Sequence, residues 1–112
     1  MVTARLISVV LGRNCAKVEV SSNNIEYTWT DTPARIDSSV NKYEFMNMVK
    51  KHFIKKGFML ESGIGERGYC TVIDTEYDGV NFGEDRLIRE EEPDAVFAAA
   101  EVVMGWLDEC TK

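Results

Sequence analysis

Residues 93–109 read PDAVFAAAEVVMGWLDE, and this stretch decides the fold because it predicts a helix that is apolar on almost every side. Apart from Glu109 at its end, its polar side chains form one narrow line, Asp94, Glu101 and Asp108, spaced by seven residues. A polar stripe this narrow indicates a helix that is covered on most of its surface. We therefore predict a helix over residues 94–109 that forms the centre of the core. The alternative use of the same apolar surface is a homodimer interface.

Strand-like patterns precede this helix in two groups, separated by a second predicted helix. Strands are predicted where β-branched and apolar residues run together or alternate with polar ones, at residues 6–11, 15–21, 25–30, 58–61 and 69–77, with short runs at 80–82 and 87–88. Residues 40–56 show helical spacing of apolar side chains, with Ser38 or Ser39 as the predicted cap and Gly57 after the end.

The order of these elements is β-β-β-α-β-β-(β)-α, which predicts an α+β fold. We expect one antiparallel sheet of about five to six strands with two helices packed on it, as a two-layer sandwich. The length of 112 residues predicts a single domain, residues 1–112. Each half of the chain places strands before one helix, but the two halves show no sequence repeat.

Composition favours a cytoplasmic protein without a membrane span. No apolar run reaches the roughly 18 residues that a span needs, and residues 1–11 do not read as a signal peptide. The three cysteines, Cys15, Cys70 and Cys110, are widely spaced and odd in number. This argues against disulfides and against a zinc site, and predicts reduced thiols.

Charge is distributed unevenly along the chain. Residues 1–56 carry nine basic and five acidic side chains, for a net charge of +4, whereas residues 57–112 carry four basic and fourteen acidic ones, for −10. Within residues 74–94, DTEYDGVNFGEDRLIREEEPD, nine carboxylates stand against two arginines. Such an asymmetry bears on partners more than on the fold.

The acidic segment predicts a ridge of carboxylates. On a strand, Asp74, Glu76 and Asp78 point to one face at a spacing of about 7 Å, which resembles the regular negative charge of a nucleic-acid strand. We expect this ridge to bind a basic groove on a protein partner, and not nucleic acid itself. The expected contact residues are Asp74, Glu76, Tyr77, Asp78, Phe82, Glu84, Asp85, Glu90, Glu91 and Glu92. The alternative is a solvated acidic edge that keeps the protein soluble.

Asp74, Glu76, Asp78 and Asp85 also match positions 1, 3, 5 and 12 of a calcium loop. The match is partial, because Glu76 is too long for its position, Asp85 is too short for bidentate binding, and a strand precedes the loop where an EF-hand has a helix. A divalent-cation-binding module is therefore an alternative function, and no cofactor is predicted.

The pattern G-x-G-x-x-G at residues 63–68 lies between strands and not between a strand and a helix, so it predicts a hairpin turn and not a dinucleotide site. His52 is the only histidine and sits at the edge of the buried stripe of its helix. With no nucleophile and base in a recognised arrangement, the sequence argues against an enzyme.

In size and acidity the chain resembles phage-encoded inhibitors of host defence, such as anti-CRISPR proteins, and toxin-neutralising immunity proteins. The resemblance is one of general type and implies an inhibitor that occupies a basic, nucleic-acid-binding surface of its partner. A structural homo-oligomer joined through residues 94–109 is the third possibility.

Overall fold

A computed structural model describes residues 2–31, 38–75 and 87–110, with the side chain of the last residue excepted. Within these ranges the chain forms three helices and six strands. In chain order they are α1 (Ala4–Leu11), β1 (Cys15–Ser21), β2 (Asn24–Trp29), β3 (Ser38–Asn41), α2 (Lys42–Ile54), β4 (Phe58–Ile64), β5 (Gly68–Asp74), β6 (Leu87–Arg89) and α3 (Glu92–Cys110). The α+β class is thus confirmed, while the numbers of helices and sheets differ from the prediction.

The first helix, α1, replaces the strand predicted at residues 6–11. Thr3 caps it by accepting a hydrogen bond from the Leu6 amide through its hydroxyl, and Gly12 ends it with a φ of 72°, in the left-handed region. Leu6 and Ile7 are fully buried on the side that faces the core. Two good caps and one buried stripe outweigh the β propensity of the isoleucine and valines, which is a weak preference.

The strands form two antiparallel sheets of three strands each, and not one sheet of five to six. The first sheet has the order β1-β2-β3 and the second the order β4-β5-β6. Each sheet ends where its third strand runs almost directly into a helix, α2 after β3 and α3 after β6. The third strands have only four and three residues, and within the described ranges no strand of one sheet pairs with a strand of the other. The predicted run at 80–82 and the last two residues of the strand predicted at 69–77 lie outside the described residues.

The second helix starts two residues later than predicted. Asn41 caps α2 by accepting a hydrogen bond of 2.8 Å from the Tyr43 amide. Ser38 and Ser39, the predicted caps, belong to strand β3 and pair with Tyr27 and Glu26 of β2. The hairpin predicted for the glycine-rich segment is confirmed, since Gly65 donates a hydrogen bond to the Arg67 carbonyl between β4 and β5.

The core is one cluster shared by all three helices and both sheets, and α3 lies at its centre as predicted. Pro93 of α3 is buried, and seven further buried side chains of α3 belong to this cluster, namely Ala95, Val96, Phe97, Ala99, Ala100, Val103 and Met104. They pack with Phe45, Val49 and Phe53 of α2, and the Phe45 and Phe97 rings lie 5.6 Å apart. No helix in the described part of the chain has both the length and the hydropathy to cross a bilayer.

Candidate binding surface

The second sheet presents an inner face to α3 and an outer face away from it. Alternation along β5 buries Gly68, Cys70, Val72 and Asp74 on the inner face. Gly68 is required there, because a Cβ atom at this position would lie 2.3 Å from the backbone of Glu91 and Glu92 at the start of α3. The close approach of α3 to β5 therefore assigns the opposite side chains of the sheet to the outer face.

The outer face of the second sheet consists of Met59, Glu61, Gly63, Tyr69, Thr71, Ile73 and Ile88, as the register of the three strands places them. Met59 and Ile88 are 38% and 48% exposed, and Glu61 is exposed. The contacts of the sheet with helices α2 and α3 involve its inner face, where Phe58 packs against Trp106 and Ser62 donates a hydrogen bond to Glu92. Within the described residues, no helix or strand covers the outer face.

Tyr69 gives this outer face a flat aromatic centre. It pairs directly with Gly63 across the β4–β5 ladder, and its ring lies over that glycine, 2.6–3.2 Å from where a Cβ atom would stand. An aromatic ring over a glycine on the neighbouring strand compensates for the missing side chain. Beside it, a depression of about 290 Å³ is lined by Gly65, Glu66, Arg67, Tyr69 and Ile88. The result is an apolar patch with the charged side chains of Glu61, Glu66 and Arg67 at its rim.

The first sheet turns a polar face outward. Its inner face carries Ile25 and Tyr27, which are buried, while Lys17, Glu19, Glu26 and Ser39 alternate to the other side. Lys17 and Glu19 form an exposed ion pair of 3.2 Å on β1. This is the usual arrangement of a half-buried antiparallel sheet, with a solvated outer face.

The acidic side chains before α3 turn toward the protein's own lysines and arginine. The Lys42 side chain is only 7% exposed, and its Nζ lies 3.4 Å from Glu91 and 3.3 Å from Asp94. Glu92 is 3.8 Å from the Lys50 Nζ and accepts a 2.6 Å hydrogen bond from Ser62. A buried lysine must be paired, so Glu91 and Asp94 stabilise the fold by neutralising the charge of Lys42.

Of the three consecutive glutamates proposed as contact residues, Glu90 alone is largely exposed. Its side chain is 84% exposed and contacts Arg67 at 3.1 Å, whereas the side chains of Glu91 and Glu92 are 45% and 16% exposed. Glu90 therefore remains available to a partner, Glu91 is partly available, and Glu92 is held inside.

The prediction of an exposed carboxylate ridge is wrong at Asp74. The carboxylate was expected on an exposed row, but Asp74 is only 6% exposed. The reason is the strand alternation itself, since Asp74 shares the inner face with Cys70 and Val72. The other predicted contact residues of this segment, Glu76, Tyr77, Asp78, Phe82, Glu84 and Asp85, lie outside the described residues, and with them most of the calcium-like loop.

In the described ranges, no group of three or more His, Cys, Asp or Glu side chains is placed to hold a metal ion. The pKa of His52 is lowered by burial and by the nearby Lys56 and Lys55, so the ring is neutral at pH 7. Burial raises the pKa of the Cys70 thiol to about 12 and also raises the pKa of the Cys15 thiol. These thiols are therefore poor nucleophiles near neutral pH.

A groove of about 400 Å³ lies where the two sheets meet α3. Val2, Val20, Arg67, Arg89, Glu90 and Asp94 line it. Two arginines and two carboxylates give the groove a mixed charge, and Arg67 is already paired with Glu90. The groove therefore does not select a ligand by charge.

Sequence reasoning found the acidic half of the chain but missed the buried ion pair of Lys42 and the apolar outer face. Lys42 falls in the first turn of the helix predicted at residues 40–56 and reads as an ordinary helix-start lysine. The outer face did have a signal, the alternation of Tyr69, Thr71 and Ile73, but the opposite face of β5 carries Cys70 and Val72 and looks equally apolar.

Comparison with known proteins adds no relative to this picture: no family model, no curated protein and no solved structure matches the chain.

Proposed function

We propose that this protein is a non-enzymatic binding module that covers a basic surface of a partner protein, of the kind that nucleic-acid-handling proteins present. The observation that carries the proposal is the outer face of the second sheet. It combines exposed Met59 and Ile88 with Tyr69 and the exposed carboxylate of Glu61. In this role the protein acts as an antagonist, since a basic surface that it covers is closed to nucleic acid.

Apolar and aromatic side chains on a sheet face that no described helix or strand covers support a protein partner. Protein interfaces are enriched in aromatic residues and methionine at their centre and in polar groups at their rim. Here Tyr69, Met59 and Ile88 would form the centre. Glu61 and Glu66 would form the rim together with Arg67, whose charge is paired with Glu90. Small ligands and metals, by contrast, need concave sites with converging polar groups.

The charge of the same half of the chain supports a basic partner. Residues 57–112 carry a net charge of −10, and this half contains the whole second sheet. Complementary charge speeds association and selects partners by sign. The acidic residues Glu76, Asp78, Glu84 and Asp85 add to this charge by sequence, with Tyr77 and Phe82 as apolar anchors between them.

The test is affinity capture from a lysate of the source organism, followed by mass spectrometry and competition with nucleic acid. The outer-face variant carries Glu61→Lys and Glu66→Lys. The acidic-segment variant carries Glu76→Lys, Asp78→Lys, Glu84→Lys and Asp85→Lys. Asp74 is left unchanged because a lysine at a buried position would unfold the protein. The control variant, Glu19→Lys with Glu44→Lys, has the same charge change as the outer-face variant but places it on the first sheet and α2.

We expect the wild type and the control variant to capture one basic protein and to displace nucleic acid from it, and the outer-face variant to lose it. The difference in capture between the wild type and the outer-face variant should be larger at low salt concentration, because exposed charges are screened at high salt. Circular dichroism confirms that each variant is folded. If no captured protein competes with nucleic acid, or if all variants capture it equally, the proposal is wrong.

A further inference from the structure

The exposed side of α2 carries two lysines flanked by apolar side chains. Residues three and four apart lie on one face of a helix, which places Met48, Lys51 and Lys55 together, with Ile54 beside Lys51. Lys55 is the C-cap of α2 and keeps helical backbone angles. Met48 and Ile54 are 37% and 44% exposed, and both lysines are exposed. We call these four residues the basic face of α2.

The charges of the basic face are not used within the described part of the chain. Lys42 and Lys50, on the same helix, reach carboxylates at the start of α3. No such ion pair engages Lys51 or Lys55 among the described residues. Glu44, nearer the helix start, is the acidic residue of the first turn of α2. The helix dipole explains lysines in the last turn, but it does not explain exposed apolar side chains among them.

The outer face of the second sheet has the complementary composition. Met59 and Ile88 are exposed on it, and Glu61 is exposed on the same strand as Met59. Glu66 lies at the rim, where the positive charge of Arg67 is paired with a further glutamate. Both surfaces therefore combine exposed apolar side chains with charges, and the charges are of opposite sign.

These two surfaces point away from the same core. On the opposite side from its basic face, α2 turns Phe45, Val49 and Phe53 into the core. The second sheet packs its inner face against α3 and turns its outer face away from it. The basic face and the outer face thus lie on the outside of different elements and do not meet within one copy.

We propose that the basic face of α2 binds the outer face of the second sheet on a second copy of this chain. Complementary charge selects this occupant, because opposite potentials favour association. Contact between two outer faces would bring the glutamates of both copies together, and contact between two basic faces would do the same with the lysines. Like charges across an interface disfavour both of these arrangements.

The inference goes beyond the proposed function and does not rest on it, because it needs only this chain. Unlike surfaces join copies head to tail, or reciprocally about a two-fold axis. In both arrangements every contact pairs one basic face with one outer face. Since the outer face is also the proposed partner-binding surface, self-association and partner binding exclude one another. A basic partner must then displace the second copy.

The first experiment reverses the charge of each surface in the full-length protein and measures association by sedimentation. The α2 variant carries Lys51→Glu and Lys55→Glu, and the outer-face variant carries Glu61→Lys and Glu66→Lys. The wild type should associate at concentrations up to about 1 mM, a range that detects weak contacts. Each variant alone should associate more than about tenfold more weakly, because its two surfaces then repel. An equal mixture of the two should associate like the wild type, because opposite charges meet again.

Net charge does not explain this expected pattern. The reversals change the net charge from −6 to −10 in the α2 variant and to −2 in the outer-face variant, so the two mixed proteins have the same sign. The matched control, Glu19→Lys with Glu26→Lys, also has a net charge of −2, with both changes on the first sheet. It should associate like the wild type.

Four results overturn the proposal. They are a wild type that stays monomeric, association of either reversed variant alone at the wild-type strength, a mixture that does not associate, and a control variant that loses association. Circular dichroism establishes that each variant is folded.

The second experiment tests the apolar part of the basic face. Met48→Gln with Ile54→Gln keeps the helix propensity and the charge but removes the exposed apolar side chains. It should weaken self-association by at least about tenfold, because the contact buries both side chains. Val9→Gln with Val102→Gln changes side chains of similar exposure on α1 and α3 and should associate like the wild type. Equal association of these two variants overturns the α2 site.

The two proposals fail separately. If the mixture of reversed variants does not associate, but the outer-face variant loses a captured basic protein, self-association is excluded and the proposed function stands. If the mixture associates, but no captured protein competes with nucleic acid, self-association stands and the proposed function is wrong.

Discussion

The two sheets of this protein have the same topology, but the outer face of the first is polar and that of the second is largely apolar. Both are antiparallel meanders in the order of the chain, and a helix follows each. The first sheet turns Lys17, Glu19 and Glu26 outward, whereas the second turns Met59, Tyr69 and Ile88 outward. The first sheet thus has a solvated outer face, whereas the second has an apolar outer face, which we propose as the partner-binding surface.

The inner faces differ as well, because α3 lies on the second sheet at backbone contact. Gly68→Ala should therefore destabilise the protein by about 3 kcal/mol, since the new Cβ would lie 2.3 Å from backbone atoms that cannot move aside. Gly65→Ala is the matched control in the same hairpin, because no atom lies within 4 Å of its Cβ position. Urea unfolding measures both, and equal stabilities would mean that α3 does not contact β5 so closely.

Ion pairs of Lys42 connect the starts of α2 and α3, the helices that follow the two sheets. This lysine starts α2, and its partners Glu91 and Asp94 lie at the corresponding place before and within α3. Lys42→Met should cost about 2 kcal/mol, less than a fully buried pair because both partners are partly exposed. Lys17→Met breaks the exposed pair of the first sheet and should cost under about 0.5 kcal/mol. Thermal unfolding of the two variants compares them, and similar losses would contradict the difference in burial.

The cysteines of the two sheets should differ in reactivity. Cys70 of β5 is fully buried with a pKa raised to about 12, whereas Cys15 of β1 is half-buried with a smaller rise. In a Cys110→Ser background, a thiol reagent should label Cys15 in the folded protein and Cys70 only after unfolding. Labelling followed by mass spectrometry measures the order. Rapid labelling of Cys70 would show that the inner face opens readily.

The raised pKa of Cys70 also predicts how stability depends on pH. The folded state holds the thiol proton more tightly than the unfolded state, so this contribution is complete below the ordinary thiol pKa of about 8.5. It is then lost as the pH rises toward about 12. Cys70→Ala should remove this part of the decrease in the free energy of unfolding at alkaline pH. Urea unfolding at a series of pH values between about 8.5 and 12 measures the decrease. An unchanged decrease would mean that other groups cause it.

The sequence predicted the class and most elements, but it could not decide between competing local signals. Residues 6–11 have β propensity, yet Thr3 and Gly12 cap them as a helix, and those caps were the signal that was missed. Asp74 looked exposed because acids follow it, whereas strand alternation places it beside Val72. Which face of β5 turns inward depends on where α3 packs, and this long-range contact leaves no local pattern.

The smallest effect on stability is expected on the outer face of the second sheet. Met59→Thr with Ile88→Thr should change the free energy of unfolding by less than about 1 kcal/mol, because these side chains are already 38% and 48% exposed and threonine suits a strand. Val18→Thr with Val40→Thr makes the same kind of change on the inner face of the first sheet, where both valines pack against the core, and should cost clearly more.

Urea unfolding measures the two losses, and binding of a hydrophobic dye should fall only in the Met59/Ile88 variant. A large loss of stability in that variant would mean that the outer face is packed within the folded protein. Retained stability with reduced dye binding would leave a face that the fold does not need and a partner can use.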